Sequence, residues 1–211
     1  MNPVLYDYWR SSAAYRLRIT LNHLGLQYDQ IPVDLRKGEH LDADNLARNP
    51  QGLVPSLTID DHTLTQSLAI IEYLNETRAA NLLPDSALGR ARVRRISYAI
   101  AMEIHPVCNL SVAQFATENS GGNLSIETWM QTFIPKGLRA VERMLAEPQT
   151  GTFCHGDSLT MADICLIPQA YNAERWKVDL AEMPRIRALA ARLQTLPAIA
   201  MAHPDKHRPA G

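Results

Sequence analysis

Asn49-Pro50-Gln51-Gly52-Leu53-Val54-Pro55-Ser56-Leu57-Thr58-Ile59-Asp60-Asp61-His62-Thr63-Leu64-Thr65-Gln66-Ser67-Leu68-Ala69-Ile70-Ile71-Glu72-Tyr73-Leu74 is the stretch on which the fold turns. Two short apolar runs flank Asp60-Asp61, so that pair reads as the turn of a β-hairpin. Val54-Pro55 stands just ahead of the first hairpin strand, a place suited to a cis X–Pro bond. Past the second strand, Ser67 reads as the N-cap of a helix whose apolar stripe includes Leu68, Ile71 and Leu74.

Upstream, Val4-Leu5-Tyr6-Asp7-Tyr8 is strand-like. Arg10-Ser11-Ser12-Ala13-Ala14-Tyr15-Arg16-Leu17 then opens an amphipathic helix, with Leu17, Leu21 and Leu24 on one face and Gly25 at its end. Two hydroxyls therefore sit at a helix N-terminus just past a strand end. A Ser there caps the helix by accepting from a free backbone N–H. The same N–H groups and the positive end of the helix dipole attract an anion, and Arg10 immediately precedes them. The arrangement suits a small ligand bearing a thiolate or carboxylate; taken alone, it equally suits an ordinary capped helix. In order, residues 4–78 read strand, helix, strand, helix, strand, strand, helix, the order of a thioredoxin-like domain.

The 211 residues suffice for a real core in one domain or two small ones. With 21 basic and 22 acidic residues the net charge is −1, which gives no general attraction to nucleic acid or to a membrane surface. No secretory pattern opens the chain, and no apolar run is long enough for a membrane span. Cys108, Cys154 and Cys165 are odd in number and lack CxxC spacing, so they read as free packing thiols of a reducing cytosol.

A boundary falls around Arg78–Ser86, where Pro84-Asp85 punctuates the chain. Beyond Gly89 the pattern is nearly all helical. Ile96, Ile100 and Ile104 repeat at i+4, and Pro106 should kink or end that helix. Glu118–Asn123 reads as a loop. Met130, Ile134, Leu138, Val141 and Leu145 mark a long helix, Thr160-Met161-Ala162-Asp163 caps another, and Ile186, Leu189 and Leu193 mark a third with Pro184 near its start. The end from His203 to Gly211 is polar and proline-containing, so fraying is expected there. Arg90, Arg92, Arg94 and Arg95 spread round a helix without interleaved aromatics, which favours a solvated or dimer-facing surface over nucleic-acid binding. His203 and His207 around Asp205 are too short a segment to make a metal site, and none is expected.

Several of these segments together resemble the zeta class of the glutathione transferases. They are Ser11-Ser12-Ala13 with Tyr15-Arg16-Leu17-Arg18-Ile19, Asn49-Pro50 with Val54-Pro55, and Gln66–Leu74. Asn109-Leu110-Ser111, Gly156-Asp157 with Thr160–Asp163, and Asn172–Leu180 complete the set, which spans nearly the whole chain. The resemblance implies an α/β plus all-α fold: a thioredoxin-like glutathione-binding domain over 1–82, and an all-helical substrate-binding domain over 88–211. It further implies a cytoplasmic homodimer with glutathione as cofactor and no nucleic-acid or membrane partner.

The implied activity is cis–trans isomerisation of maleylacetoacetate to fumarylacetoacetate in tyrosine and phenylalanine breakdown. Its rivals are isomerisation of maleylpyruvate in gentisate breakdown, glutathione transfer to small halogenated acids, and a non-catalytic interaction protein. Glutathione would add as a thiolate to the activated double bond, allow rotation, and leave unchanged. Free thiols titrate near ~8.5, so the site must favour the thiolate. The family pattern gives that role to Ser11, with Ser12 as cap or second donor; sequence alone does not order the two. Gln66 and Ser67 would hold the γ-glutamyl end, main chain at Val54-Pro55 would pair with the tripeptide, and His40 would stand near the glycine end. His105, Asn109 and Ser111 complete the expected glutathione contacts. Arg10 and Arg175 would hold carboxylates of a dicarboxylic keto acid substrate through guanidinium forks. An ion-pair role for Arg175 and a surface role for Arg10 remain open. Ala13 replaces the cysteine of the eukaryotic pattern, which leaves glutathione as nucleophile.

Overall fold

The computed structural model describes residues 2–209. They form two compact units. The first runs to Asn81 and takes in the chain again from Thr195, while Leu82–Gln194 form the second.

In the first unit, β1 (Val4–Asp7), β2 (Asp29–Pro32), β3 (Ser56–Ile59) and β4 (His62–Thr65) form a sheet of order β2-β1-β3-β4. The β1–β2 pair is parallel, and β3 runs antiparallel to both β1 and β4. Helices α1 (Ser12–His23), α2 (Ala43–Arg48) and α3 (Ser67–Thr77) follow in the expected order. The hairpin turn lies where the paired aspartates put it. Asp60 and Asp61 both have positive φ, 51° and 61°, the backbone that a two-residue turn needs to match strand twist. Leu5, Leu17, Leu21, Leu57, Ile70, Ile71 and Leu74, from the sheet, α1 and α3, are fully buried in the core of this unit.

The carboxyl-terminal segment departs from the expectation of fraying, and from an all-helical domain reaching 211. Helix α10 (Pro197–Ala202) packs on α1, and Pro204–His207 form a 3-10 turn. Polar anchors hold it. Arg18 Nε donates to Ala202 O at 3.1 Å, Asn22 Nδ2 to Ala198 O at 3.2 Å, and His207 Nδ1 lies 2.8 Å from Gln30 Oε1. Fraying is opposed because these donors and acceptors find fixed partners in the first unit. Ala210 and Gly211 lie outside the described residues.

The second unit is helical: α4 (Ala87–Tyr98), a π-helical turn (Ala99–Ile104), α5 (His105–Val107), α6 (Leu110–Glu118), α7 (Ile126–Met144), α8 (Met161–Arg175) and α9 (Pro184–Leu193). Pro106 has no N–H to donate, and the helix ends two residues later at Cys108. The apolar positions Met130, Ile134, Leu138 and Val141 line the buried face of α7. Arg92 corrects the picture of a solvated basic run. It is buried and donates to Met144 O, Cys154 O, Thr150 and Glu147, so it satisfies carbonyls at the end of α7 and in the loop beyond. Thr160 and Asp163 form the reciprocal cap of α8, with Asp163 also accepting from Cys154 N at 2.8 Å.

Candidate active site

Strand register brings three segments of the first unit to one end of the sheet. Tyr6 pairs with Ser56, and Ser56 pairs with Thr65. Because both pairings are antiparallel, β1 exits, β3 enters and β4 exits on the same side. The segments emerging there are Tyr8–Ser12, Val54-Pro55 and Gln66-Ser67. The Val54-Pro55 bond is cis.

Ser11 is the N-cap of α1: its Oγ accepts from Ala14 N at 3.2 Å. Ser12 is the first helical residue. The order the sequence left open is thus resolved for capping, and the Ser11 hydroxyl proton remains available to a second partner. Ser67 differs from its expected place. Gln66 holds the N-cap position with φ 67°, and Ser67 is the first residue of α3. The cause is tertiary. The buried Arg16 guanidinium donates to Ser67 Oγ at 3.1 Å, and Gln66 Nε2 donates to Gln51 Oε1 at 2.6 Å. A left-handed backbone at glutamine costs of order 1–3 kcal/mol and persists only where surroundings enforce it, as at ligand sites. Neither α1 nor α3 has an acid in its first turn, so both positive helix ends, with Arg10 and Arg16 nearby, are left for an external anion.

Arg10 is no free surface arginine. It is half-buried, donates to the Tyr8 hydroxyl at 3.3 Å and lies 4.9 Å from the centre of the Trp9 ring. His40 lies in a 3-10 turn, Glu39–Leu41, against the loop that leads into Val54. Asn45 Nδ2 donates to His40 O at 2.8 Å, and a Cβ at Gly52 would meet Leu41 at 2.9 Å. His40 Nδ1 is buried with no hydrogen-bond partner among the described residues. A ligand with a carboxylate or amide is the kind of group that would satisfy it.

The remaining candidates belong to the second unit. Asn109 caps α6, its Oδ1 accepting from Ser111 N and Ser111 Oγ at 3.1 and 3.0 Å. Those two residues therefore already have a local structural task. His105 is half-buried at the start of α5, directly after the π-helical turn. Arg175 is the exposed last residue of α8, where a cation complements the helix dipole, and it stacks 4.7 Å from the Trp176 ring centre. The roles missed by reading the sequence are those of Arg16, Gln51 and Trp9. Along α1 Arg16 is flanked by Ser12, Ala13, Ile19 and Thr20, a mixed face that gives it no distinct signal in the sequence.

Cys108, Cys154 and Cys165 are all free and buried. Burial pushes the Cys108 thiol up to about 11, and burial followed by the nearby Asp163 raises Cys154 well above the usual thiol range. Such thiols stay protonated near neutrality and make poor nucleophiles. Replacing all three by Ala is therefore expected to leave turnover within a few-fold of the parent, while thermal stability falls. Loss of activity in a folded triple variant that still binds glutathione would overturn this.

Family models for the glutathione S-transferase N-terminal domain and C-terminal domain match residues 1–76 and 107–201. The maleylacetoacetate isomerase of Rhizobium meliloti is 57% identical, with 98% of each chain covered. Among solved structures, a bacterial zeta-class maleylpyruvate isomerase is similar at a TM-score of 0.92 and 40% identity, covering 96% of this chain and 97% of that one. The maleylacetoacetate isomerase of Methylobacterium extorquens AM1, solved with malonate and glutathione, also gives 0.92, at 39% identity over 98% and 100%. On these likenesses and on the sheet, helices and double serine described above, the chain belongs to the glutathione S-transferase family, in its zeta class.

Proposed function

We propose that this protein catalyses the glutathione-dependent cis–trans isomerisation of maleylacetoacetate to fumarylacetoacetate, a step of tyrosine and phenylalanine breakdown. The observation that carries the reading is the meeting of Ser11, Val54-Pro55 and Gln66 at one end of the sheet, at two helix N-termini whose first turns carry no acid. When bound, glutathione supplies a thiolate that adds reversibly to the activated double bond.

The chain's own residues then have separable tasks. Ser11, already accepting from Ala14, donates its hydroxyl proton towards the sulfur, and the α1 dipole favours the charged form. The Ser67 amide at the head of α3 and the Gln66 side chain receive the γ-glutamyl end. Val54 lies outside the ladder that starts at Ser56, and its main chain is assigned to pair with the tripeptide. His40 is assigned to the glycine end. Arg10 and Arg175 hold the carboxylates of the acid, and His105 serves proton transfer.

A homodimer in the cytoplasm belongs to the same proposal. Leu88, Tyr98 and Met102 offer exposed apolar surface on the second unit, and the three cysteines are free thiols. Isomerisation of maleylpyruvate is the second reading, favoured by the likeness to the zeta-class enzyme named for that substrate. Assay of both maleyl acids with and without glutathione tests the proposal. Turnover of neither, with glutathione bound, would reject it.

Arg175 makes a sharper test. A charge-assisted bidentate contact stabilises by roughly 1.5–3 kcal/mol, less when exposed to solvent. Arg175→Ala is expected to raise KM for the diketo acid about tenfold and to leave glutathione affinity unchanged. Arg175→Lys should recover only part, since an ammonium lacks the planar fork. An unaltered KM with lowered thermal stability would make Arg175 a helix-end residue alone.

A further inference from the structure

The carboxyl-terminal segment of the first unit reaches the same indole that carries Arg10. Its course is held firmly. Arg18 donates to Ala202 O and, through Nη2, to Trp9 O at 2.9 Å, so one buried guanidinium ties this segment to the loop before Ser11. His207 lies within 2.8 Å of Gln30 Oε1 and 3.0 Å of Met201 O, and Gln30 in turn donates to Asp7 at 2.8 Å. Arg208 follows directly. Its guanidinium carbon is 5.7 Å from the Trp9 ring centre, where that of Arg10 is 4.9 Å. The two cations are thus no more than about 10.6 Å apart. Among the described residues neither forms an ion pair.

Two like charges that share one aromatic ring, close in sequence to Ser11 and without an ion-pair partner among the described residues, make an arrangement that an anion with more than one charge would relieve. We propose that Arg208 is a specificity-determining residue which, with Arg10, forms a two-cation clamp for a dicarboxylate. It gives the first unit a second cation for the substrate's charges and selects dianionic over monoanionic acids. The inference rests on the reading of the substrate as a dicarboxylic keto acid. It adds a residue from the far end of the chain to that site.

Arg208 is exposed and lies past the last buried anchor of its segment, so Arg208→Ala should fold. The test compares malonate with its monomethyl ester, acids of similar size but different charge, as ligands of the glutathione-loaded protein by titration calorimetry. Arg208→Ala is expected to weaken malonate about five- to tenfold, to change the monoester less than twofold, and to raise KM for the maleyl acid while kcat and glutathione affinity hold. The difference should shrink at high salt, because exposed charges are screened. Arg208→Lys should restore part of the malonate affinity. Equal weakening of both acids, or of neither, would overturn the proposal. A fall in glutathione affinity alone would show that Arg208 only steadies Trp9. If the unaltered protein isomerises no maleyl acid, the functional reading fails, and the malonate comparison still decides the clamp.

Discussion

Ser11→Ala should cut turnover near neutral pH by about 100-fold, the usual scale for losing one donor to a developing anion. The titration of bound glutathione, followed by thiolate absorbance, should move to higher pH. Affinity for glutathione should persist through Gln66, Ser67 and Val54. The same substitution removes the cap of α1 and costs ~1 kcal/mol of stability, so the two effects need separating. Ser11→Asp does this. A carboxylate caps a helix well but donates no proton and repels a thiolate, so this variant should be stable and slow. An unmoved titration in Ser11→Ala, together with a large shift in Ser12→Ala, would transfer the role to Ser12.

The second large effect is expected at Arg18 and concerns the fold itself. Arg18 and Asp7 have fully buried side chains 2.5 Å apart. Removing one partner of a buried pair strands the other charge, at a cost of about 3–5 kcal/mol, against a typical total of about 5–15 kcal/mol. Arg18→Met should therefore lower the urea midpoint sharply or leave little folded protein. Replacing Asp7 by Leu in the same chain should recover only part. The carbonyls of Trp9 and Ala202 would still lack their donor, and an unsatisfied buried acceptor is itself costly. A midpoint within the error of the parent in Arg18→Met would show that the pair contributes nothing net.

What could be read in advance was local. The hairpin announced itself because two aspartates interrupt apolar runs, and aspartate tolerates the left-handed backbone such turns use. The α7 stripe was readable because its period matches the helix. That a serine caps α1 was readable because hydroxyls are favoured at the head of an apolar helix; which of the two does so was not. What escaped was set by contacts distant in sequence. Ser67 yielded the cap position to Gln66 because Arg16, 51 residues earlier, binds its hydroxyl. Arg92 looked like surface charge because nothing near it in sequence shows that a helix end 52 residues later needs a donor. The tail looked loose because its anchor, Arg18 Nε to Ala202 O, spans 184 residues. The same limit applies at the site. Arg10 and the double serine are contiguous and could be found, whereas the neighbourhood of Trp9 and Arg208 exists only after folding.

The return of the chain at Thr195 to the unit it left at Asn81 bears on synthesis. The covering for α1 is encoded after the entire second unit. At ~5–20 residues per second, translation of the intervening 113 residues occupies roughly 6–23 s. During that interval the nascent first unit lacks α10, and Arg18 lacks one of its acceptors. The second unit is continuous in sequence and needs no segment made later, whereas the first is complete only once the last residues of the chain have reached α1.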